Sequence, residues 1–161
     1  MTVLASNYNS PDDNINTLYK DIVDPLQGVV TEWTPLILGS TTEGDGTYSY
    51  QYGNTITYGQ VVDVWFDIDW TGHTGTGNLQ ISLPMRVFPL ADYLPFEGEI
   101  SYSRLDLTAN YYCLKITALP DEEKAAFYQV SIAAADTILE MPIATDGNIR
   151  GHIRYLRKYD T

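Results

Sequence analysis

Cysteine is almost missing from this chain. Cys113 stands alone among 161 residues, so no intrachain disulfide can staple the fold, and a reducing compartment suits its synthesis. Cations are scarce as well. Nine Lys and Arg face 21 Asp and Glu, a net charge of −12, which excludes the cationic surface that binds a nucleic-acid backbone and disfavours anionic membranes. No apolar run approaches the length of a membrane span, and MTVLASNYNSP has no basic stretch followed by an apolar one, so neither membrane insertion nor a signal peptide is expected. Catalytic patterns are thin too. His73 and His152 lie outside any GxSxG or HExxH arrangement, and GHTGTG at 72–77 lacks phosphate-loop spacing and leads into a strand. No enzyme and no cofactor are expected.

What the chain does have is apolar alternation. With 44% hydrophobic residues, it is long enough for one domain with a substantial core. In the stretch from Val61 to Trp70, Val62, Val64, Phe66, Ile68 and Trp70 fall on one side of a period-two strand, and Val61, Asp63, Trp65, Asp67 and Asp69 on the other. After the glycine-rich loop the alternation resumes with Leu79, Ile81 and Leu83 inward, which predicts a hairpin with GHTGTG at its tip. Further strands are expected at 29–38 (interrupted by Pro35), 47–52, 55–58, 85–88, 98–103, 111–117, 127–132 and 148–156. Residues 121–126, DEEKAA, read as a helical turn or a surface loop. Cys113 reads as a small buried hydrophobe. Many short strands punctuated by turns predict an all-β, antiparallel, sandwich or jelly-roll-like domain over residues 29–161.

Residues 1–28 differ. Ser10-Pro11-Asp12-Asp13 carries helix-start features, and Ile15, Leu18, Tyr19 and Ile22 follow at helical spacing up to Asp24-Pro25. This predicts a short helical arm, docked either on its own sheet or on a neighbouring chain.

Candidate contact residues come from two excesses. Tyrosine is abundant, at thirteen residues, and Tyr48, Tyr50 and Tyr52 alternate along one segment, suited to a protein interface or a sugar ring. Trp65, outward on the central strand, asks for a partner. Basic residues crowd the end of the chain, where Arg150, Arg154, Arg157 and Lys158 follow a first 99 residues holding thirteen acids against Lys20 and Arg86. Asp63, Asp67 and Asp69 either face this basic strand, in one chain or across a subunit boundary, or lie on a solvated face; Ca²⁺ is a further candidate for them. His73, Thr74 and Thr76 form the candidate glycan-contact loop.

The order Trp33-Thr34-Pro35, Thr47-Tyr48-Ser49 with Gln51 and Gly53, Tyr58-Gly59, the apolar strand to Trp70, Gly75-Thr76-Gly77 and Leu83-Pro84 resembles a β-rich module of bacteriophage tail-fibre and other virion structural proteins. Gly147 to Ile153 resembles its final strand, so the likeness spans 30–155. The resemblance implies a trimeric jelly-roll-like head that decorates a particle or binds host glycans. A short unit beginning at Met1 favours a homotrimeric capsid decoration (cement) protein, bound to the major capsid protein or another virion protein and located in virions assembled in the host cytoplasm. The alternative is a small tail-fibre or spike head that binds a host-surface glycan.

Overall fold

A computed structural model describes residues 28–89, 96–131 and 138–158. The expected helix between Ser10 and Asp24 lies outside the described residues. The rest is all-β and antiparallel, as the alternation predicts. Its strands are β1 (Val29–Trp33), β2 (Ile37–Gly39), β3 (Thr47–Tyr58), β4 (Val61–Thr71), β5 (Leu79–Ser82), β6 (Glu97–Ser103), β7 (Tyr111–Ala118), β8 (Lys124–Ser131), β9 (Ile138–Glu140) and β10 (Gly147–Leu156). They form one ten-stranded sheet in the order β1-β3-β4-β10-β6-β7-β8-β5-β2, with β9 also beside β8.

The sheet must curl. β1 and β2 occupy opposite ends of the strand order, yet only Thr34, Pro35 and Leu36 join Trp33 to Ile37, a stretch that spans at most about 14 Å. The two layers of the expected sandwich are therefore two halves of one sheet, bent into a half-barrel around its core. Val62, Val64, Phe66, Ile68 and Trp70 of β4 meet Ile149, Ile153 and Tyr155 of β10, Ile116 of β7, Phe127 of β8, Ile81 of β5 and Ile37 of β2 in a single cluster. Two polar side chains carried into it are bonded. The Tyr155 hydroxyl donates to the Met85 carbonyl at 3.0 Å and Trp70 Nε1 to that of Ala144 at 3.1 Å. Burial pushes the Tyr155 phenol well above its ordinary range, so it stays neutral.

β3 and β4 form a hairpin closed by Gly59-Gln60. Gly59, with φ at +58°, takes the first central position, where glycine matches the turn to the strand twist. β3 runs as one strand of twelve residues, not as two short ones around Gly53. Glycine is needed there because Trp33 of β1 lies across it: a methyl group at Gly53 would sit 2.5 Å from Trp33 Nε1.

Three further expectations change. The predicted hairpin tipped by GHTGTG does not form: β4 pairs with β3 and β10, while β5 pairs with β2 and β8. Both edges of β4 are already occupied, and the loop after it is bound to the 40–46 segment instead, with Thr41 and Thr42 donating to the Thr76 carbonyl and Thr74 to that of Asp45. Lys124 to Ala126, read as loop or helical turn, opens β8. Met85 to Phe88 contributes one isolated bridge, Val87 with Arg157.

Candidate functional site

The convex face of the sheet holds most of the residues singled out by sequence. In an antiparallel pair, directly opposed residues point to the same side, so the β4–β10 register sets Asp63 opposite Arg154, Trp65 opposite His152 and Asp67 opposite Arg150. The acids do face the basic strand, and within one chain. Arg154 grips Asp63 with two bonds, Nε to Oδ1 at 2.7 Å and Nη2 to Oδ2 at 2.8 Å. His152 Nε2 donates to the same Oδ1 at 3.1 Å. Asp63 is 3% exposed, and the Arg154 hydrogen bonds hold its carboxyl below the usual carboxylate range, against the opposing effect of burial. Arg150 donates through Nε to Asp67 Oδ2 at 2.8 Å and also through Nη2. Asp69 pairs with Arg104. Each carboxylate considered for Ca²⁺ thus meets a guanidinium, which competes with a metal for the same oxygens.

The basic C-terminal segment is spent in the same way. Arg157 Nε donates to the Gly59 carbonyl at 3.0 Å, and Lys158 Nζ to Asp121 Oδ1 at 2.7 Å.

Aromatic rings are held between these pairs. Trp65 stacks on His152, with ring centroids 4.8 Å apart, and remains 40% exposed. Tyr50 and Tyr52 stack at 5.9 Å, and the Tyr50 hydroxyl accepts from Asn148 Nδ2 at 2.7 Å. Tyr48 parts company with them. The β3–β4 register slips between Tyr48 and Tyr50, so Tyr48 pairs with buried Trp70 and turns to the core, its hydroxyl accepting from the Ile37 amide at 3.2 Å. Tyr50 pairs with Asp69 and Tyr52 with Asp67, on the convex side. An extra residue in one strand, Ser49, reverses the face, and a composition-based reading of three alternating tyrosines cannot see it.

The result is a groove of about 230 Å³ lined by Tyr52, Asn54, Trp65, Asp67, Arg150 and Gly151. A second hollow of about 410 Å³ adjoins it, sharing Tyr52 and Asn54 and adding Glu32, Thr34 and Gln51. Sequence reasoning named Tyr52, Trp65 and Arg150 but missed Asn54 and Glu32. The β1–β3–β4 register brings these beside Trp65, and alternation from Tyr52 places Asn54 on the same face.

The glycan-contact loop is arranged differently from its sequence reading. His73 is buried, 7% exposed. Its Nδ1 accepts from the Gly75 amide at 3.0 Å, so Nε2 carries the proton and donates to the Ile37 carbonyl at 2.9 Å. Thr74 Oγ1 accepts from the Asp45 amide at 3.0 Å and donates to the Asp45 carbonyl at 3.2 Å. Thr76 bridges Thr42 through its backbone and stays exposed. His73 and Thr74 therefore hold two loops together. Cys113 is half-buried, not deep in the core.

The architecture is that of an all-β protein built on one curled antiparallel sheet. No protein-family model matches the chain, and no curated protein matches it. Among solved structures it is similar to the Dettilon tailspike protein, with a TM-score of 0.54, 14% sequence identity and 78% of this chain covered. The likeness, which is one of fold, spans 23% of that tailspike chain.

Proposed function

We propose that this chain is a non-enzymatic structural module of a bacteriophage tail, a fibre or spike element presented towards the host surface. The observation that carries this reading is the curled-sheet fold, which the chain shares with a section of a phage tailspike. Charge supports it. Arg150, Arg154 and Lys158 pair with Asp67, Asp63 and Asp121 of the same chain, so the basic terminal strand is already engaged within its own sheet. The convex face, by contrast, offers exposed Tyr52 and Trp65 on a stiff sheet. Such a module works without moving parts: the core fixes the strands, cross-strand pairs fix the side chains, and the face meets its target already organised. Assembly as a homotrimer belongs to the same proposal, tested by sedimentation of the purified chain.

Immunogold electron microscopy of intact particles, with antibody raised against this chain, locates it. Label at the tail or its appendages is the expected result. Label spread over the capsid would replace this reading with the decoration role.

A further inference from the structure

We infer that the convex face docks a basic segment of another protein, laid across the strands from Glu32 to Glu99. The inference rests on the preceding reading only for the choice of the convex face as the surface that meets a target; the chemistry of that target follows from the face itself. The strand registers set one transverse row of side chains on it. Glu32 of β1 opposes Asn54 of β3, Asn54 opposes Trp65 of β4, Trp65 opposes His152 of β10, and His152 opposes Glu99 of β6. Directly opposed residues share a face, and four strand spacings put the two glutamates about 19 Å apart.

The charges at the two ends of the row are uncompensated. Around it, Asp67 is paired with Arg150, Asp63 with Arg154, Asp69 with Arg104 and Glu97 with Lys115. Glu32 and Glu99 are exposed and make no ion pair among the described residues. The paired charges cancel locally, so the row carries the field of two free acids on a chain of net charge −12, and that field draws in cations. A neutral partner covering these carboxylates would strip their water with no ion pair in return.

Each part of the row has its counterpart in a basic polypeptide. At the β1 end lies the hollow of about 410 Å³, lined by Glu32, Thr34, Gln51, Tyr52 and Asn54. Exposed Tyr52 sits diagonal to Glu32 across the β1–β3 register, about 7–8 Å away. A lysine ammonium or arginine guanidinium entering the hollow meets a carboxylate and the face of an aromatic ring, and both attract it. In the middle, Trp65 is exposed with its ring braced by His152, a rigid apolar anchor of the kind on which interfaces concentrate binding energy. At the β6 end, Glu99 takes a second cation.

The length of the row calls for a chain, since a small cation answers only one of the two acids. Between its ends the row runs over β3, β4 and β10, interior strands paired on both edges. The partner is therefore held by its side chains and is not added as a further strand. An extended segment rises about 3.3 Å per residue, so two basic residues about six apart, with an apolar residue midway, match the row.

The test is a two-dimensional NMR titration of the full chain with a synthetic peptide carrying two lysines about six residues apart and a leucine midway. The same peptide with glutamates for the lysines, and spermidine, are titrated beside it. Saturable shifts of the Trp65 indole and of the Glu32, Asn54 and Glu99 amides, with the lysine peptide alone, are expected. Glu32→Gln and Glu99→Gln, at exposed positions, should each weaken binding about two- to fivefold, the range an exposed ion pair supplies. Trp65→Ala should weaken it about tenfold or more, each variant being checked for an unchanged melting profile. No saturable shift, shifts confined to another face, an equal response to the glutamate peptide or to spermidine, or binding indifferent to both glutamine variants would overturn the inference. So would sedimentation in which Trp65→Ala dissociates an oligomer, because a second copy would then cover the face. The two readings fail separately: a capsid-borne protein that binds the lysine peptide sinks the tail reading alone, and a tail-borne protein that ignores it sinks the docking face alone.

Discussion

Asp63 is a buried carboxylate whose charge is tolerable because Arg154 and His152 occupy its oxygens. Asp63→Asn removes the charge and leaves guanidinium and imidazole donors poorly matched, at an expected cost of about 1–3 kcal/mol near neutral pH. Because the folded-state carboxyl titrates below the ordinary aspartate value, about 3.9, its stabilisation is complete above that value and is lost as pH falls through the folded one. Urea midpoints measured from pH 7 to pH 3 should fall for wild type and fall less steeply for Asp63→Asn; parallel curves would contradict the assignment. Gly151 makes a second prediction. A methyl group there would lie 2.5 Å from Ile100 Cδ1 and 2.6 Å from Phe66 Cζ, so Gly151→Ala overpacks the core and should cost about 1–3 kcal/mol in chemical denaturation. Much at this scale was legible in the sequence: the inward faces of β4 and β10 follow from alternation alone. The stacking of Trp65 on His152 was not, because it depends on a register between strands separated by more than seventy residues.

Strand existence was easier to read than strand pairing. The alternation in β4 and β5 is clear, and the glycine-rich segment between them imitates a hairpin tip. Pairing is decided by which edges remain free, and β3 and β10 claim both edges of β4. His73 shows the same limit. A histidine among glycines reads as a loop tip, yet here the glycines let the 72–78 and 39–46 segments approach closely over a buried imidazole; a methyl group at Gly75 would lie 2.6 Å from His73 Cε1. His73→Ala should cost about 2–4 kcal/mol, from lost hydrogen bonds and the cavity left behind. Hydrogen exchange should quicken most at the amides of Thr41, Thr74 and Gly75. Uniform loss of protection across the sheet would instead place His73 in the global core. The slip at Ser49 belongs to this scale too: one additional residue sends Tyr48 inward and Tyr52 outward, creating the groove edge.

On the scale of the whole molecule, the short link between Trp33 and Ile37 ties the two ends of the strand order together and forces a ten-stranded sheet into a half-barrel. That topology could not be read from local pattern, since β1 and β2 look like one strand broken by Pro35. Its consequence is a filled concave side and a convex side on which β3, β4 and β10 display their polar and aromatic residues. The acidic composition was legible at once, but its meaning changed with the fold. The basic terminal strand pairs with the acids of its own sheet, and an exposed aromatic groove beside those pairs is the feature offered outward in the proposed tail role. Quantitative mass spectrometry of purified particles, giving copies of this chain per virion, tests that role most directly. The account predicts a small number of copies in multiples of three; copies comparable with those of the major capsid protein, or complete absence from the particle, would contradict it.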